Sequence, residues 1–191
     1  MCEFKYNEKK LYLLRILAIC FVLCGFFASP AEAQRKFPLP DLPGAATKAL
    51  GKTDYTFSVK TVDGENLSLS EFKGKTVFIY YWATYCGICV SSLPNIQNLW
   101  QSFRNRDDIV FLFVSKDATA EPVKKLMKER NFDFPVYLRQ ANSKEFSAAG
   151  IPVAYLVNQN GEILFRYSGR AAWDDPSVID YLKNVINERK R

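Results

Sequence analysis

Apolar and polar positions along this chain change rhythm several times, and each change marks an element. Residues 76–82, Thr-Val-Phe-Ile-Tyr-Tyr-Trp, are β-branched and aromatic without alternation, which predicts a central strand buried on both faces. Residues 109–114 repeat that pattern. Between them Leu93, Ile96, Leu99, Trp100 and Phe103 recur at helical spacing, predicting a helix with one face on the sheet and a kink at Pro94. A second helix is expected over 120–130, with Val123, Leu126 and Met127 inward. Residues 134–138 read as a short edge or linking strand, and 143–149 as a short helix ended by Gly150. Residues 153–157 and 163–167 flank Asn158-Gln159-Asn160-Gly161, the pattern of an antiparallel hairpin. A last amphipathic helix carries Val178, Ile179, Leu182, Val185 and Ile186, with Asp175 as its cap and Pro176 as its first residue. Ahead of all these, Tyr55, Phe57 and Val59 alternate, Asp63-Gly64 turns, and Leu67 and Leu69 return; Ser70 is the expected cap of a short turn holding Glu71 and Phe72 and stopped at Gly74. This order describes an α/β fold: a central mixed β-sheet with helices on both sides and an N-terminal β-hairpin extension.

The first 51 residues follow different rules. Lys9, Lys10 and Arg15 precede an almost continuously apolar stretch, 16–28, which ends at Ser29, Pro30, Ala31 and Ala33. A basic start, a short greasy core and an Ala-x-Ala end make residues 1–33 a secretory signal with cleavage expected before Gln34. The other reading is an uncleaved membrane anchor, for which the apolar core is short against the roughly 20 residues of a span. Residues 34–51, with Pro38, Pro40, Pro43 and Gly44, read as a Pro-rich linker or an arm laid over the domain at 52–191.

Export sharpens the meaning of the cysteines. Cys2, Cys20 and Cys24 fall within the leader, so the mature chain keeps only Cys86 and Cys89, in Trp82-Ala83-Thr84-Tyr85-Cys86-Gly87-Ile88-Cys89. Disulfide exchange needs a thiolate that attacks a foreign disulfide and a second thiol that resolves the mixed disulfide, and a Cys-x-x-Cys pair supplies both. Placed between a buried strand and a helix, Cys86 is the expected nucleophile, because a helix N-terminus favours its anion. Cys89, one turn further in, is the expected resolving thiol. Gly87 leaves room for a partner's backbone, and Ile88 offers it an apolar surface. The bland alternatives are a structural disulfide, a metal site and two core cysteines. A disulfide closing so small a loop stabilises little, and a metal site wants more ligands than one Cys pair in a chain with no histidine. No metal or other cofactor is expected. The net charge of +6 is spread along the chain without aromatic-interleaved basic clusters, which argues against nucleic-acid binding.

Taken together, residues 77–89, Pro94, Gly150-Ile151-Pro152, the 158–161 turn and the segment Gly169 to Asp175 resemble the TlpA/ResA-like branch of the thioredoxin superfamily over about residues 52–187. The resemblance implies a thioredoxin-like fold and a thiol–disulfide oxidoreductase. It further implies that Pro152 is a cis-proline lying against the cysteine pair, that Ile151 beside it offers backbone hydrogen bonds to a substrate strand, and that Trp82 and Tyr85 are the aromatic residues around the motif. Plain core packing is the alternative for Trp82. Partners implied are protein thiols and disulfides in the periplasm, of the cytochrome c or copper-protein maturation kind, and a DsbD-like membrane reductant. A disulfide oxidase or isomerase and a Cu(I) chaperone are the competing functions. The chain departs from the family at two places where an acid usually serves the buried thiol: it has Tyr80 six residues before Cys86 and Ser92 three after Cys89.

Overall fold

A computed structural model describes residues 37–42, 48–53, 55–140 and 145–188, all within one compact unit that runs from Phe37. The leader expected at 1–33 and the first residues of the linker lie outside this set. Among the described residues no helix is long and apolar enough to cross a membrane.

Eight strands form a single mixed sheet in the order β1-β8-β7-β4-β5-β6-β2-β3. Its centre is β4 (Thr76–Trp82), in which every residue is buried, paired in parallel with β5 (Ile109–Ser115) and antiparallel with β7 (Val153–Val157). These are the uninterrupted apolar runs of the sequence, and their position between neighbours on both sides explains why they do not alternate. β8 (Glu162–Ser168) continues the sheet beyond β7, and β1 (Gly51–Lys52) closes that edge. The β7–β8 turn rests on Asn158, whose Oδ1 accepts from the N–H groups of Asn160 and Glu162, and on Gly161 at φ +77°, where a Cβ would meet the Tyr55 hydroxyl.

At the opposite end β2 (Ser58–Thr61) and β3 (Asn66–Ser68) make the N-terminal hairpin. The strand expected at 134–138 is β6 (Val136–Arg139), and it is interior: it lies parallel to β5 and antiparallel to β2, so it links the hairpin to the sheet. Pro135, without an N–H, delays its start, while Phe134 is buried against Phe113.

The three α-helices among the described residues send their buried side chains to one face of the sheet. These are α1 (Gly87–Gln101), α2 (Glu121–Arg130) and α3 (Pro176–Asn187), which join Phe78, Tyr80, Trp82, Phe111 and Phe113 in one core. α1 continues through Pro94, and α3 is capped by Asp175, whose side chain accepts from Ser177 N–H. The other face is covered differently from the sequence expectation. Its core, around Ile79, Tyr81, Val114 and Tyr155, is closed by Leu69 of a 3-10 turn and by Phe146 and Ala148. No helix forms over the described residues 145–149; positions 143 and 144 lie outside the described set. Two carbonyls of this segment bond to the sheet side, that of Ser147 to the Tyr155 hydroxyl and that of Ala148 to Lys116 Nζ, both at 2.7 Å, and these bonds together with buried Phe146 hold it against this face. The 3-10 turn, Leu69–Phe72, is capped by Ser68 and not by Ser70: Ser68 and Glu71 form a reciprocal capping box.

The described part of the arm packs on the domain. Phe37 is buried under the Arg170 guanidinium, and Ala172 N–H donates to the Pro38 carbonyl at 2.8 Å. This fixes Trp173, fully buried and ringed by Phe78, Tyr80, Phe165 and Tyr167. Removing that indole leaves a large void that rigid neighbours cannot refill. Trp173→Ala is expected to cost about 3–5 kcal/mol in urea unfolding of the oxidised protein; a loss under about 1 kcal/mol would contradict this packing.

Candidate active site

At Trp82 the central strand runs out, and the chain leaves the sheet through Ala83, Thr84 and Tyr85. Cys86 N–H donates to the Ala83 carbonyl at 3.2 Å, which closes a tight turn and starts α1 at Gly87. Cys86 is the N-cap of that helix, in an extended conformation, and its Sγ accepts from Cys89 N–H at 3.2 Å. The first amides of any helix lack intrahelical partners, so here one of them is spent on a sulfur. The two cysteines form a disulfide with their Cα atoms 5.2 Å apart.

Burial separates the two sulfurs. Cys86 is only partly covered, whereas Cys89 has 0% exposure and sits in the helix-side core with Leu93 and Ile96. On reduction, the amide of Cys89 and the positive end of α1 favour the Cys86 thiolate. Apolar surroundings keep the Cys89 thiol neutral. One sulfur is therefore open to what arrives from outside, and the other is sealed from it.

The remaining site residues divide by exposure. Tyr85 is 70% and Ile88 55% exposed, large side chains open to solvent on either side of Cys86. Gly87 is exposed, and a Cβ there would meet nothing within 4 Å, so nothing inside the protein requires glycine. The Ile151–Pro152 peptide is cis, and the Ile151 carbonyl oxygen lies 4.0 Å from Cys86 Sγ. Pro152 is buried, and its own carbonyl accepts from Gly169 N–H at 2.8 Å. Trp82 does not join this surface: it is fully buried and packs in the core beneath the motif, so it has no face to offer a substrate.

Tyr80 and Ser92, where acids would be expected from the resemblance, are both fully buried. Burial pushes the Tyr80 phenol well above its ordinary pKa, and the neighbouring Ser92 hydroxyl pulls weakly the other way. Ser92 Oγ donates to the Ile88 carbonyl at 3.0 Å. One residue escaped the sequence reading altogether. Asp117, 9% exposed, accepts from Thr84 N–H at 2.9 Å and from Thr84 Oγ1 at 2.5 Å. No spacing rule connects positions 84 and 117, and only the pairing of β4 with β5 reveals it.

The Redoxin family model matches residues 43–185. This chain belongs to the Redoxin family. Among its relatives is the thiol-disulfide oxidoreductase ResA of Bacillus thuringiensis subsp. konkukian, 25% identical over 138 residues that cover 71% of this chain and 78% of the relative. Another is the sporulation thiol-disulfide oxidoreductase A of Bacillus subtilis, 26% identical over 155 residues, covering 78% and 86%. A solved structure of a putative thiol-disulfide oxidoreductase from Bacteroides vulgatus superposes with a TM-score of 0.61 at 27% identity, covering 73% of this chain and 99% of its own. The Cys86–Cys89 pair is accordingly the redox centre of a thiol–disulfide oxidoreductase of the ResA and StoA type.

Burial makes the two thiols unequal towards reagents. Brief treatment of the reduced, folded protein with iodoacetamide is expected to alkylate one cysteine of the pair, found to be Cys86 by peptide mass spectrometry. Cys89 should react only after denaturation; equal labelling of both would contradict the sealed position of Cys89.

Proposed function

We propose that the protein is exported to the periplasm and there reduces disulfides in other exported proteins. The single observation that carries the reading is the asymmetry of the pair: an accessible Cys86 at a helix N-cap, flanked by exposed Tyr85 and Ile88, above a sealed Cys89. The leader pattern of residues 1–33 supports export, either as a cleaved signal or as an anchor in the inner membrane.

In the forward reaction the Cys86 thiolate attacks one sulfur of a substrate disulfide. The substrate's other sulfur leaves as a thiolate and takes a proton. Cys89 then gives up its proton and attacks Cys86 Sγ, breaking the mixed disulfide and releasing the second substrate thiol. Two electrons pass to the substrate, and the Cys86–Cys89 disulfide remains. A DsbD-like membrane protein would return the pair to the dithiol. Substrate backbone would lie along Ile151 and Pro152 and close over Gly87, with Tyr85 and Ile88 as apolar walls. Cytochrome c and copper-protein thiols are the substrate class that the resemblance to TlpA/ResA-like proteins suggests.

Equilibration of the pair against dithiothreitol or glutathione buffers tests the direction of electron flow. A reductase is expected to have a potential below about −200 mV, towards the value of thioredoxin; one near about −120 mV would make the protein an oxidant instead. Cys86→Ser should abolish reduction of insulin disulfides, and Cys89→Ser should accumulate a mixed disulfide through Cys86. Tight Cu(I) binding by the reduced pair together with absent insulin reduction would favour a chaperone.

Gly87→Ala separates the glycine's role for a partner from its role in the fold. The added methyl has free space and improves the helix by up to about 1 kcal/mol. The variant should be at least as stable as the parent and should reduce a small aromatic disulfide normally, while reducing insulin about tenfold more slowly. Unchanged insulin reduction would remove Gly87 from the docking surface.

A further inference from the structure

The two residues that follow β5 reach in different directions, and each holds one of the loops that meet at the sulfur. Lys116 N–H donates to the Trp82 carbonyl at 2.9 Å, extending the β4–β5 pairing by one bond past the last residue of the strand. Asp117 then turns back on the motif loop. Its Oδ1 accepts from Thr84 Oγ1 at 2.5 Å, and its Oδ2 accepts from Thr84 N–H at 2.9 Å and from Ser115 Oγ at 2.5 Å. Its own N–H donates to Ser115 Oγ at 3.0 Å, so the carboxylate is held from beneath as well as from the loop. Such charge-assisted bonds to an almost fully buried carboxylate are about twice as strong as neutral ones and fix direction closely. The side chain of Lys116 goes the other way. Nζ donates to the Ala148 carbonyl at 2.7 Å, three residues before Ile151.

Thr84 is two residues before Cys86, and the Ile151 carbonyl is the backbone group that approaches Cys86 Sγ at 4.0 Å. The loop bearing the nucleophile and the loop bearing the cis peptide come from distant parts of the chain. We propose that Lys116 and Asp117 are positioning residues for disulfide exchange: as a strut at the end of β5, they fix the Thr84–Cys86 turn and the Ala148–Ile151 segment at the separation that places Cys86 Sγ between the start of α1 and the Ile151 carbonyl. Neither side chain is shown touching a cysteine. Their effect on the reaction passes through Thr84 and Ala148.

The inference rests on the Cys86–Cys89 pair being redox-active, and not on which way electrons flow. Asp117 also carries a negative charge, and the charge and the strut act on Cys86 in opposite directions. Removing a nearby negative charge eases ionisation of the thiol, whereas loosening the turn moves the sulfur away from the Cys89 amide and raises its pKa.

The test measures the pH dependence of Cys86 alkylation in reduced protein, together with the rate of exchange with insulin and with a small aromatic disulfide. Variants are Asp117→Ala, Asp117→Asn, Thr84→Val and Lys116→Met, each first checked for native near-UV circular dichroism. Thr84→Val and Lys116→Met each remove one side-chain bond from partly exposed positions, so the proposal stays testable if the Asp117 variants fail to fold. For Asp117→Ala the alkylation midpoint is expected to move to higher pH and both exchange rates to fall at least about tenfold. Asp117→Asn, which keeps one acceptor, should lie between it and the parent. Thr84→Val should move the midpoint the same way by less. Lys116→Met should leave the midpoint in place and slow exchange with insulin more than with the small disulfide, because it frees the segment on the substrate's side. A midpoint that moves to lower pH in both Asp117 variants would show the carboxylate acting by charge alone and overturn the strut. Folded Thr84→Val and Lys116→Met proteins with unchanged midpoints and rates would overturn it too. Absence of any exchange in the parent protein would instead refute the redox reading, an outcome distinct from both.

Discussion

Seven residues of β4 lie in parallel register with seven of β5, from Thr76 against Ile109 to Trp82 against Ser115, and both strands run out at the same edge of the sheet. Where the two strands end, the regular ladder no longer supplies partners for the next backbone groups, and the chain must find others as it turns away. Here the Trp82 carbonyl takes Lys116 N–H, and the Ala83 carbonyl takes Cys86 N–H. The turn that results delivers a cysteine to the N-cap of a helix whose opening amides need acceptors. The partly exposed sulfur of the pair is thus placed by the same requirement that ends the strand. β7, paired on the other side of β4, begins right after Pro152 and brings the cis peptide to that edge from the opposite flank.

The elements that set this arrangement could be read from the sequence because they are governed by local rules. β4, β5 and β7 are uninterrupted apolar runs, and α3 announces itself through Asp175, Pro176 and a regular apolar stripe. What escaped was decided at long range. Residues 145–149 follow an irregular path pinned to the sheet by Tyr155 and Lys116, and neither partner is a neighbour in sequence. The capping of the 3-10 turn moved from Ser70 to Ser68 because β3 ends there, which leaves Ser68 extended and able to bond Glu71 reciprocally. β6 reads as a short edge or linking strand, and the hairpin added to its far side decides for the second.

The candidate site shows the same division. Cys86, Cys89 and Pro152 carry signals of type and spacing, and the structure brings them to one place. Trp82 illustrates the limit of such signals: an aromatic residue four positions before Cys86 is compatible with a contact surface or with core. The alternation of β4 turns its side chain to the face occupied by α1, so it packs with Tyr80 and Phe78. Tyr85, past the end of the strand, has no sheet to pack on and is exposed. Asp117 lies in a segment without any motif, and its importance comes only from what β5 sets beside it.

The hydroxyl residues at 80 and 92 bear on how the sealed thiol behaves. A carboxylate in either place would set a negative charge close to Cys89 and oppose a second one on its sulfur. Tyr80 and Ser92 bring none: burial holds the phenol neutral through the physiological range, and the Ser92 proton is committed to the Ile88 carbonyl. A neutral phenol at that pKa does not remove a proton from a thiol. The apolar enclosure of Cys89 therefore governs its ionisation, and it favours the uncharged thiol while the pair is reduced. Only Cys86 then gains from being an anion, and the stability of the reduced form rests on the start of α1 and on whatever holds Cys86 there. That makes the turn from Ala83 to Cys86, rather than the buried cysteine, the part of the molecule that sets the poise of the pair.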